Sequence, residues 1–330
     1  MNHQTYLCCH VDTMPPLDGN LNKAPWTHAP WTDDFVDIEG DLKPKPHLRT
    51  RAKMLWDATY LYIGAEIEDP HVWGTITERD AVIFYDNDFE VFIDPDGDNH
   101  QYYELEMNAL NTVWDLLLIK PYRDGGPAVN GWDIAGLKTA VHVDGTINDP
   151  TDVDKGWSVE IAIPWKALAE CAHKKAPPEN GDRWRINFSR VQWETSHNTG
   201  SYIKTPGRRE DNWVWTPQGV IDMHQPETWG EVVFSSQPPT LDVPRPAIEP
   251  ATVVRRFLMQ IYHAQRKRRS EKLGYTSKVS DLALPEVPKT ITNLRIETTS
   301  SRFVATAESI LGGKNETWQV TEDSRISRSL

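Results

Sequence analysis

The sequence lacks the features that mark several common protein classes. Its 330 residues contain three cysteines, Cys8, Cys9 and Cys171, which are too few for a disulfide framework. Cys8 and Cys9 are neighbours and are not expected to pair with each other. A bond from Cys171 to one of them stays open, so cysteine usage does not fix the redox compartment. No stretch approaches the roughly 20 apolar residues of a membrane-spanning helix, and the first residues show neither the charged nor the apolar region of a signal peptide.

Positive charge is scarce over most of the chain. The formal net charge is −13, with −19 in residues 1–250 and +6 in residues 251–330. A nucleic-acid backbone requires a basic surface, so the acidic body argues against nucleic-acid binding. We interpret most of the acids as solvated surface groups and a few as calcium ligands.

Familiar catalytic motifs are also missing. The sequence has no GxSxG, HExxH or phosphate-binding loop pattern. Cys8, Cys9 and His10 could attract a metal by composition, but an N-terminal segment that is expected to be flexible is a poor cage. The chemistry must therefore be sought in less standard patterns.

Large aromatic residues are abundant. The chain has 14 Trp, 10 Tyr and 8 Phe, although hydrophobic residues make up only 38%. A few bulky rings can build a core because each one removes much apolar area from water. The number of tryptophans exceeds what such a core needs, which favours some exposed rings that stack on sugars; burial in the core is the alternative for each of them.

Short alternating runs broken by Gly, Pro, Asn and Asp dominate the first 235 residues, a pattern typical of an all-β protein. The predicted strands share this alternation: Thr50–Trp56, Tyr60–Glu66, Phe89–Ile93, Tyr102–Met107, Val113–Ile119, Leu137–Val143, Trp157–Ile163, Trp184–Trp193 and Gly230–Phe234. Pro164 is expected to start a short helix. The long connections 121–133 and 195–212 are expected to be functional loops.

The C-terminal region has a different pattern. Five prolines in residues 237–250 predict an extended connector. Residues 251–273 follow a helical spacing and end in a basic cluster, Arg266–Arg269, which suits a helix C-terminus. We predict an N-terminal segment (1–14), a β-domain (15–236), a connector (237–250) and a C-terminal helix with short strands (251–330).

The loop after the third predicted strand carries three closely spaced carboxylates, Asp94, Asp96 and Asp98. Carboxylates this close repel one another, and Ca²⁺ prefers such hard oxygen ligands. The sequence therefore predicts a structural calcium site, with a solvated turn as the alternative. It is not an EF-hand, because strands replace the helices and the twelfth position holds no Glu.

The next strand places Tyr102, Glu104, Glu106 and Asn108 on one face, since side chains alternate along a strand. These acceptors and donors suit sugar hydroxyls, although a solvated outer face would give the same pattern. Glu104 and Glu106 lie about 6–7 Å apart by strand rise. That separation also fits the carboxylate pair of a glycosidase, so hydrolysis stays open with these two residues as the catalytic candidates.

The sequence resembles the family 9 carbohydrate-binding modules and their relatives over about residues 15–235. The resemblance rests on six segments in the family's order: Leu17–Trp26, Leu55–Pro70, Asn87–Asp98, Gly156–Trp165, Asp182–Glu194 and Asn212–Phe234. It implies a jelly-roll-like β-sandwich, structural calcium and binding of a glucan or xylan chain. The family context also implies an extracytoplasmic protein.

The resemblance carries over to individual residues with departures. Glu90 matches the family's strand glutamate, Phe84 or Tyr85 stands near the first sugar-clamping tryptophan, Met223 replaces the second, and Glu104 replaces an arginine. We predict that nearby residues replace the lost contacts. The full predicted carbohydrate site is Phe84, Tyr85, Glu90, Glu104, Glu106, Asn108, Arg190, Trp193, Trp213, Trp215 and His224.

The expected function is non-catalytic binding of a polysaccharide or oligosaccharide, associated with glycan degradation. Besides hydrolysis, two alternatives stay open. Met223 and His224 are typical haem ligands, although neighbouring strand residues would face opposite ways. The basic C-terminal helix is a candidate docking element for an unknown protein partner.

Overall fold

Strands form most of the regular structure in the computed structural model, which describes residues 4–196, 200–242 and 244–329. Small parts of the predicted N-terminal segment, 195–212 loop, connector and C-terminal tail therefore lie outside the described residues. The strands are β1 Thr5–His10, β2 Val36–Asp37, β3 Thr50–Trp56, β4 Tyr60–Glu68, β5 Asp88–Asp94, β6 Tyr102–Asn108, β7 Val113–Leu118, β8 Ala128–Val129, β9 Lys138–Asp144, β10 Gly156–Pro164, β11 Arg183–Gln192, β12 Thr195–Ser196, β13 Ile203–Lys204, β14 Asp211–Val214, β15 Gly230–Ser235, β16 Ile291–Thr298, β17 Phe303–Leu311, β18 Lys314–Thr321 and β19 Ile326–Ser329. The α-helices are α1 Trp165–Leu168 and α2 Thr252–Ser270.

The chain divides into two compact units. The first contains the residues up to Asp96, Gln101–Ile119 and Ala128–Pro246. The second contains Gly97–His100, Lys120–Pro127 and the residues from Ala247 onward.

The first unit is a β-sandwich made from one curled set of strands. Their order is β8-β7-β6-β5-β11-β15-β1-β3-β4-β10-β9. Strand β11 pairs with β5 along one edge. On its other edge it pairs with β15 through Arg183–Ile186 and with β14 through Ser189–Gln192. This change of neighbour lets the strands form two layers with a shared interior.

Alternation along each strand sends one set of side chains into that interior. Val91 of β5, Leu105 of β6, Phe188 of β11, Ile63 of β4 and Ile161 of β10 all belong to the same buried cluster. Burial of such side chains contributes roughly 1.5–3 kcal/mol each. The cluster fixes which side of β5, β6 and β11 faces outward.

The N-terminal segment is not the flexible piece that we expected. Residues Thr5–Cys9 form a strand that pairs in parallel with β15, and Cys9 and His10 pair in parallel with β3. The sandwich is therefore antiparallel except along β1. Cys8 and Cys9 are buried in it, and all three cysteines are free thiols, so the disulfide that stayed open is absent.

The second unit has its own core. Strands β16–β19 form an antiparallel sheet, and Val254, Phe257, Leu258 and Ile261 of α2 belong to the same buried cluster as residues of that sheet. No helix among the described residues combines the length and apolarity needed to cross a bilayer.

Candidate functional site

The outward face of β5, β6, β7 and β11 carries a continuous row of cross-strand neighbours. Glu106 lies opposite Trp114 on one side and opposite Glu90 on the other. Glu90 in turn lies opposite Ser189 of β11. Directly opposed side chains share a face, with Cβ atoms about 4.5–5.5 Å apart, so these four groups form one surface.

Two more carboxylates join this row on its neighbouring rungs. Asp88 precedes Glu90 by two residues on β5, and Glu104 precedes Glu106 by two residues on β6, so all four face outward. Carboxylate oxygens of Asp88, Glu90 and Glu106 all lie within 4.8 Å of one another. We call Asp88, Glu90, Glu104 and Glu106 the carboxylate cluster.

The carboxylate cluster lies at the bottom of the face. Glu90 and Glu104 keep 6% and 5% of their surface exposed, Glu106 2% and Asp88 none. Two carboxylates 4.8 Å apart repel by roughly 3 kcal/mol at an effective dielectric constant of 20. Burial first, and the neighbouring carboxylates second, hold the pKa values of Asp88, Glu104 and Glu106 well above their ordinary range. Burial raises the pKa of Glu90 to about 7.

Within the described residues, the partners of the carboxylate cluster are neutral. The Phe84 amide donates to Glu106 Oε2 at 3.1 Å, and the Val191 amide donates to Asp88 Oδ1 at 3.1 Å. Glu90 accepts a hydrogen bond from Ser189. None of the ion pairs in the described part of the chain brings a Lys, Arg or His to these four carboxylates. The negative charge is therefore compensated by protons or by a ligand from outside.

One rim of the face is aromatic. Phe84 and Tyr85 lie on a 3-10 turn, Ile83–Tyr85, with ring centroids 4.8 Å apart, and Tyr85 is 56% exposed. The Trp193 indole donates to the Phe84 carbonyl at 2.8 Å. The Lys204 ammonium lies 3.6 Å from the Trp193 ring centroid. The ammonium group therefore covers one face of that ring. Phe84, Tyr85 and Trp193, three of the residues proposed from the sequence, therefore lie together beside Glu106.

A groove of about 990 Å³ opens beyond Trp193. Its lining includes Trp193, His47, Arg208 and Asp211. The groove continues from Trp193 of the aromatic rim to β14, which contributes Asp211 to its lining.

The other side of the face is covered by the loop that contains Met223 and His224. These residues lie in irregular backbone, not in a strand, so strand alternation does not separate them. Met223 packs against the outer apolar cluster that contains Phe92, Tyr102 and Trp229. His224 Nδ1 lies 2.9 Å from the Tyr102 hydroxyl. His224 is therefore near Glu104's strand, while Met223 has a packing role.

Three predicted site residues face the opposite way. Ser189 faces outward on β11, so Arg190 faces the interior, where it is 1% exposed, donates to Thr50 and lies 3.5 Å from Asp69. Trp213 and Trp215 are 3% and 2% exposed and belong to the main core. The prediction that Arg190, Trp213 and Trp215 lie on a sugar-binding surface is therefore corrected. The register of their strands places all three side chains in the interior.

Asn108 shares the outward face but has a structural role. It is fully buried, and its amide donates to the Ile76 carbonyl and to Asp86. These bonds fix the segment that precedes the aromatic rim.

The predicted calcium ligands lie at the end of β5 and beyond it. Asp94 is the last, buried residue of β5, and Asp96 follows in the turn. Asp98 belongs to the second unit, where its carboxylate accepts from the Arg325 guanidinium at 2.9 Å. Calcium binding by these three residues stays a prediction.

Sequence reasoning missed two residues of the face. Asp88 lies one residue before the predicted strand Phe89–Ile93 and is not among the predicted site residues, although it alternates with Glu90 and that spacing is an available signal. Trp114 stayed ambiguous between core and surface, and its position opposite Glu106 resolves the ambiguity: it is partly exposed on the outward face.

The family comparison matches residues 17–236 to the family described as "Carbohydrate family 9 binding domain-like". Among curated proteins, the exoglucanase XynX of Acetivibrio thermocellus is 28% identical over 155 residues. That match covers 47% of this chain and 12% of XynX, so the chain spans only a small part of that relative's length.

Solved structures with a similar arrangement include two complexes of a family 9 carbohydrate-binding module from Caldicellulosiruptor kristjanssonii. The cellotriose complex has a TM-score of 0.46 at 16% identity, and the glucose complex 0.48 at 17%; they cover 75% and 74% of this chain and all of theirs. A proposed carbohydrate-binding protein from Bacteroides uniformis has a TM-score of 0.52 at 14% identity and covers 71% of this chain and all of its own. The last of these supports the fold.

Proposed function

The chain belongs to the carbohydrate family 9 binding domain-like family, and on that premise we propose that its sandwich binds a glycan without catalysis on the outward face of β5, β6, β7 and β11. The proposed ligand is a β-glucan or xylan chain. The name of the exoglucanase relative supports a role in glycan degradation.

The observation that carries this proposal is the carboxylate cluster between aromatic side chains. Trp114 lies across from Glu106 on one side, and Phe84 donates its amide to Glu106 on the other. Carboxyl groups accept hydrogen bonds from sugar hydroxyls, and in the protonated form they can also donate one. Flat rings bury the apolar face of a sugar. The polar floor and the aromatic rim thus supply both halves of carbohydrate recognition.

The alternatives receive less support from the contacts of the described residues. Glu104 and Glu106 share a face with two further carboxylates, and the family is one of binding domains, so a catalytic role for this pair is not carried forward. His224 is held by Tyr102 and Met223 by apolar packing, which favours a structural role over haem ligation. In the second unit, Arg266 donates to Asp124, so part of the basic helix end is already paired.

The experiment that tests the proposal is isothermal titration calorimetry with cello-oligosaccharides and xylo-oligosaccharides of four sugar units. Replacing Tyr85 with Ala removes an exposed ring of the rim and should weaken binding about tenfold, equivalent to about 1.4 kcal/mol. Tyr122→Ala is the matched control, because Tyr122 is 51% exposed and lies in the second unit. Equal glycan affinity of the Tyr85→Ala and Tyr122→Ala variants would show that the aromatic rim is not part of the binding site. No binding of any such glycan at millimolar concentration would refute the function itself.

A further inference from the structure

The hydrogen bonds recorded within the described residues do not compensate the negative charge of the ionised carboxylate cluster. Four acidic side chains share one outward face, and those partners of theirs that the structure records are two backbone amides and a serine hydroxyl. Buried charges in proteins are normally paired or coordinate a metal. A bound cation is one way to meet that requirement.

The spacing of the oxygens fits such a cation. Ca²⁺ binds oxygen ligands at about 2.3–2.6 Å, so two ligands on opposite sides of one ion lie up to about 5 Å apart. The oxygens offered by Asp88, Glu90 and Glu106 all lie within 4.8 Å of one another. They come from two neighbouring strands whose register is fixed by backbone pairing, so the group is rigidly positioned.

A second observation concerns Asp88 alone. Its side chain is fully buried, and Oδ1 accepts the Val191 amide. Oδ2 is also buried, and no donor reaches it within the described residues. Buried carboxylate oxygens without a donor are rare and indicate a bound ion or water. The unpartnered oxygen belongs to a residue whose carboxylate is already part of the close group.

We propose that Asp88, Glu90 and Glu106 bind a divalent cation, with Ca²⁺ as the preferred ion, and that hydroxyl groups of the carbohydrate complete its coordination. The part of this inference that concerns the sugar hydroxyls rests on the proposed function. Calcium takes six to eight oxygen ligands, more than three carboxylates supply when each binds through one oxygen. Glu104 is the next outward-facing residue of β6 before Glu106, is also buried, and borders the positions left for sugar hydroxyls.

Protonation is the competing explanation of the same cluster. Carboxylic acids with raised pKa values would hold protons near neutral pH and donate hydrogen bonds to one another. A cation would displace these protons, so calcium binding should strengthen from pH 5.5 to pH 8. Proton sharing alone predicts no response to calcium at either pH.

Calorimetric titration of the chelator-treated full chain with CaCl₂, and separately with MgCl₂, tests the cation site. We expect the wild type to bind Ca²⁺ and Asp88→Asn to bind it at least tenfold more weakly. Glu106→Gln makes the same test from the other strand, since glutamine still accepts the Phe84 amide. Asp133→Asn, in a separate and more exposed acidic group with Asp80 and Asp115, is the matched control and should bind as the wild type does.

The control variant Asp96→Asn separates this site from the predicted calcium loop. Loss of calcium binding in Asp96→Asn but not in Asp88→Asn or Glu106→Gln would overturn the inference, as would a wild type that binds no calcium. Titration of cellotetraose or xylotetraose, once with calcium and once with EDTA, then tests whether the cation forms a bridge between the protein and the glycan. Equal glycan affinity in both buffers refutes the bridge and leaves the proposed function intact. Calcium binding without any glycan binding refutes the proposed function and leaves the cation site intact.

Discussion

The titration of Glu90 predicts how the stability of the metal-free protein depends on pH. Burial raises the pKa of Glu90 from 4.5 to about 7 in the folded state. Between these two values the folded chain binds more protons than the unfolded chain, so the free energy of unfolding falls as the pH rises from about 4.5 to 7. The part of this loss that comes from Glu90 is complete about one pH unit above its folded-state pKa, where the carboxyl is ionised in both states.

The size of this loss follows from the same shift. One pKa unit corresponds to about 1.4 kcal/mol, so ionising Glu90 in the folded protein costs about 3 kcal/mol. For a domain of this size that amounts to roughly 5–10 °C in melting temperature. Glu90→Gln keeps the side-chain shape and removes the ionisation, so the loss of stability between pH 5 and pH 8 should shrink by this amount.

Tryptophan fluorescence during thermal unfolding in EDTA is the suitable assay. Of the 14 tryptophans, only Trp318 belongs to the second unit, so the signal reports on the sandwich. Glu78→Gln is the control, because Glu78 is an exposed glutamate of the same unit. A wild type that is as stable at pH 8 as at pH 5 would refute the reasoning, and so would identical pH profiles for the two variants.

Three further predictions concern the same unit. Trp114→Ala should weaken glycan binding about tenfold while Trp114→Phe keeps most of it, measured by calorimetry; equal loss in both would argue against ring stacking. Asn187→Ala removes the amide that bonds both the carbonyl and the amide of Thr216, and should lower the free energy of unfolding by about 1–3 kcal/mol in urea titration. Glu160→Gln should cost about 3 kcal/mol by the same assay, because it breaks the ion pair of the buried carboxylate with the Lys23 ammonium at 2.8 Å. The same carboxylate accepts the Gly19 amide and the Trp26 indole at 2.8 and 2.7 Å. A change below 1 kcal/mol in either variant would contradict its assigned role.

Much of the fold could be predicted from the sequence because alternation and turn residues are local signals. The predicted strand Thr50–Trp56 matches β3 at both ends. The strand predicted at Phe89–Ile93 extends to Asp88 and Asp94, since charged residues at strand ends look like loop residues until their burial is known. Strand β1 was missed because its partners, β15 and β3, are distant in sequence.

The site was predicted only in part for a related reason. Alternation places Glu104 and Glu106 on one face without reference to the rest of the chain. It cannot tell which face of β11 is buried, because that depends on pairing with β5 and on a partner such as Asp69, which is far from Arg190 in sequence. Residue type suggested sugar contacts for Arg190 and Trp213, and the long-range register placed both in the interior.

Strand β11 has a further consequence through the point at which it exchanges neighbours. Its pairing with β15 ends at Ile186 and its pairing with β14 begins at Ser189. Between these two stretches, the side-chain amide of Asn187 hydrogen-bonds both backbone groups of Thr216, where the chain leaves β14 toward Met223 and His224. One side chain thus joins strand β11 of the proposed glycan-binding face to the start of the loop that covers this face, so a displacement of that loop would also strain β11.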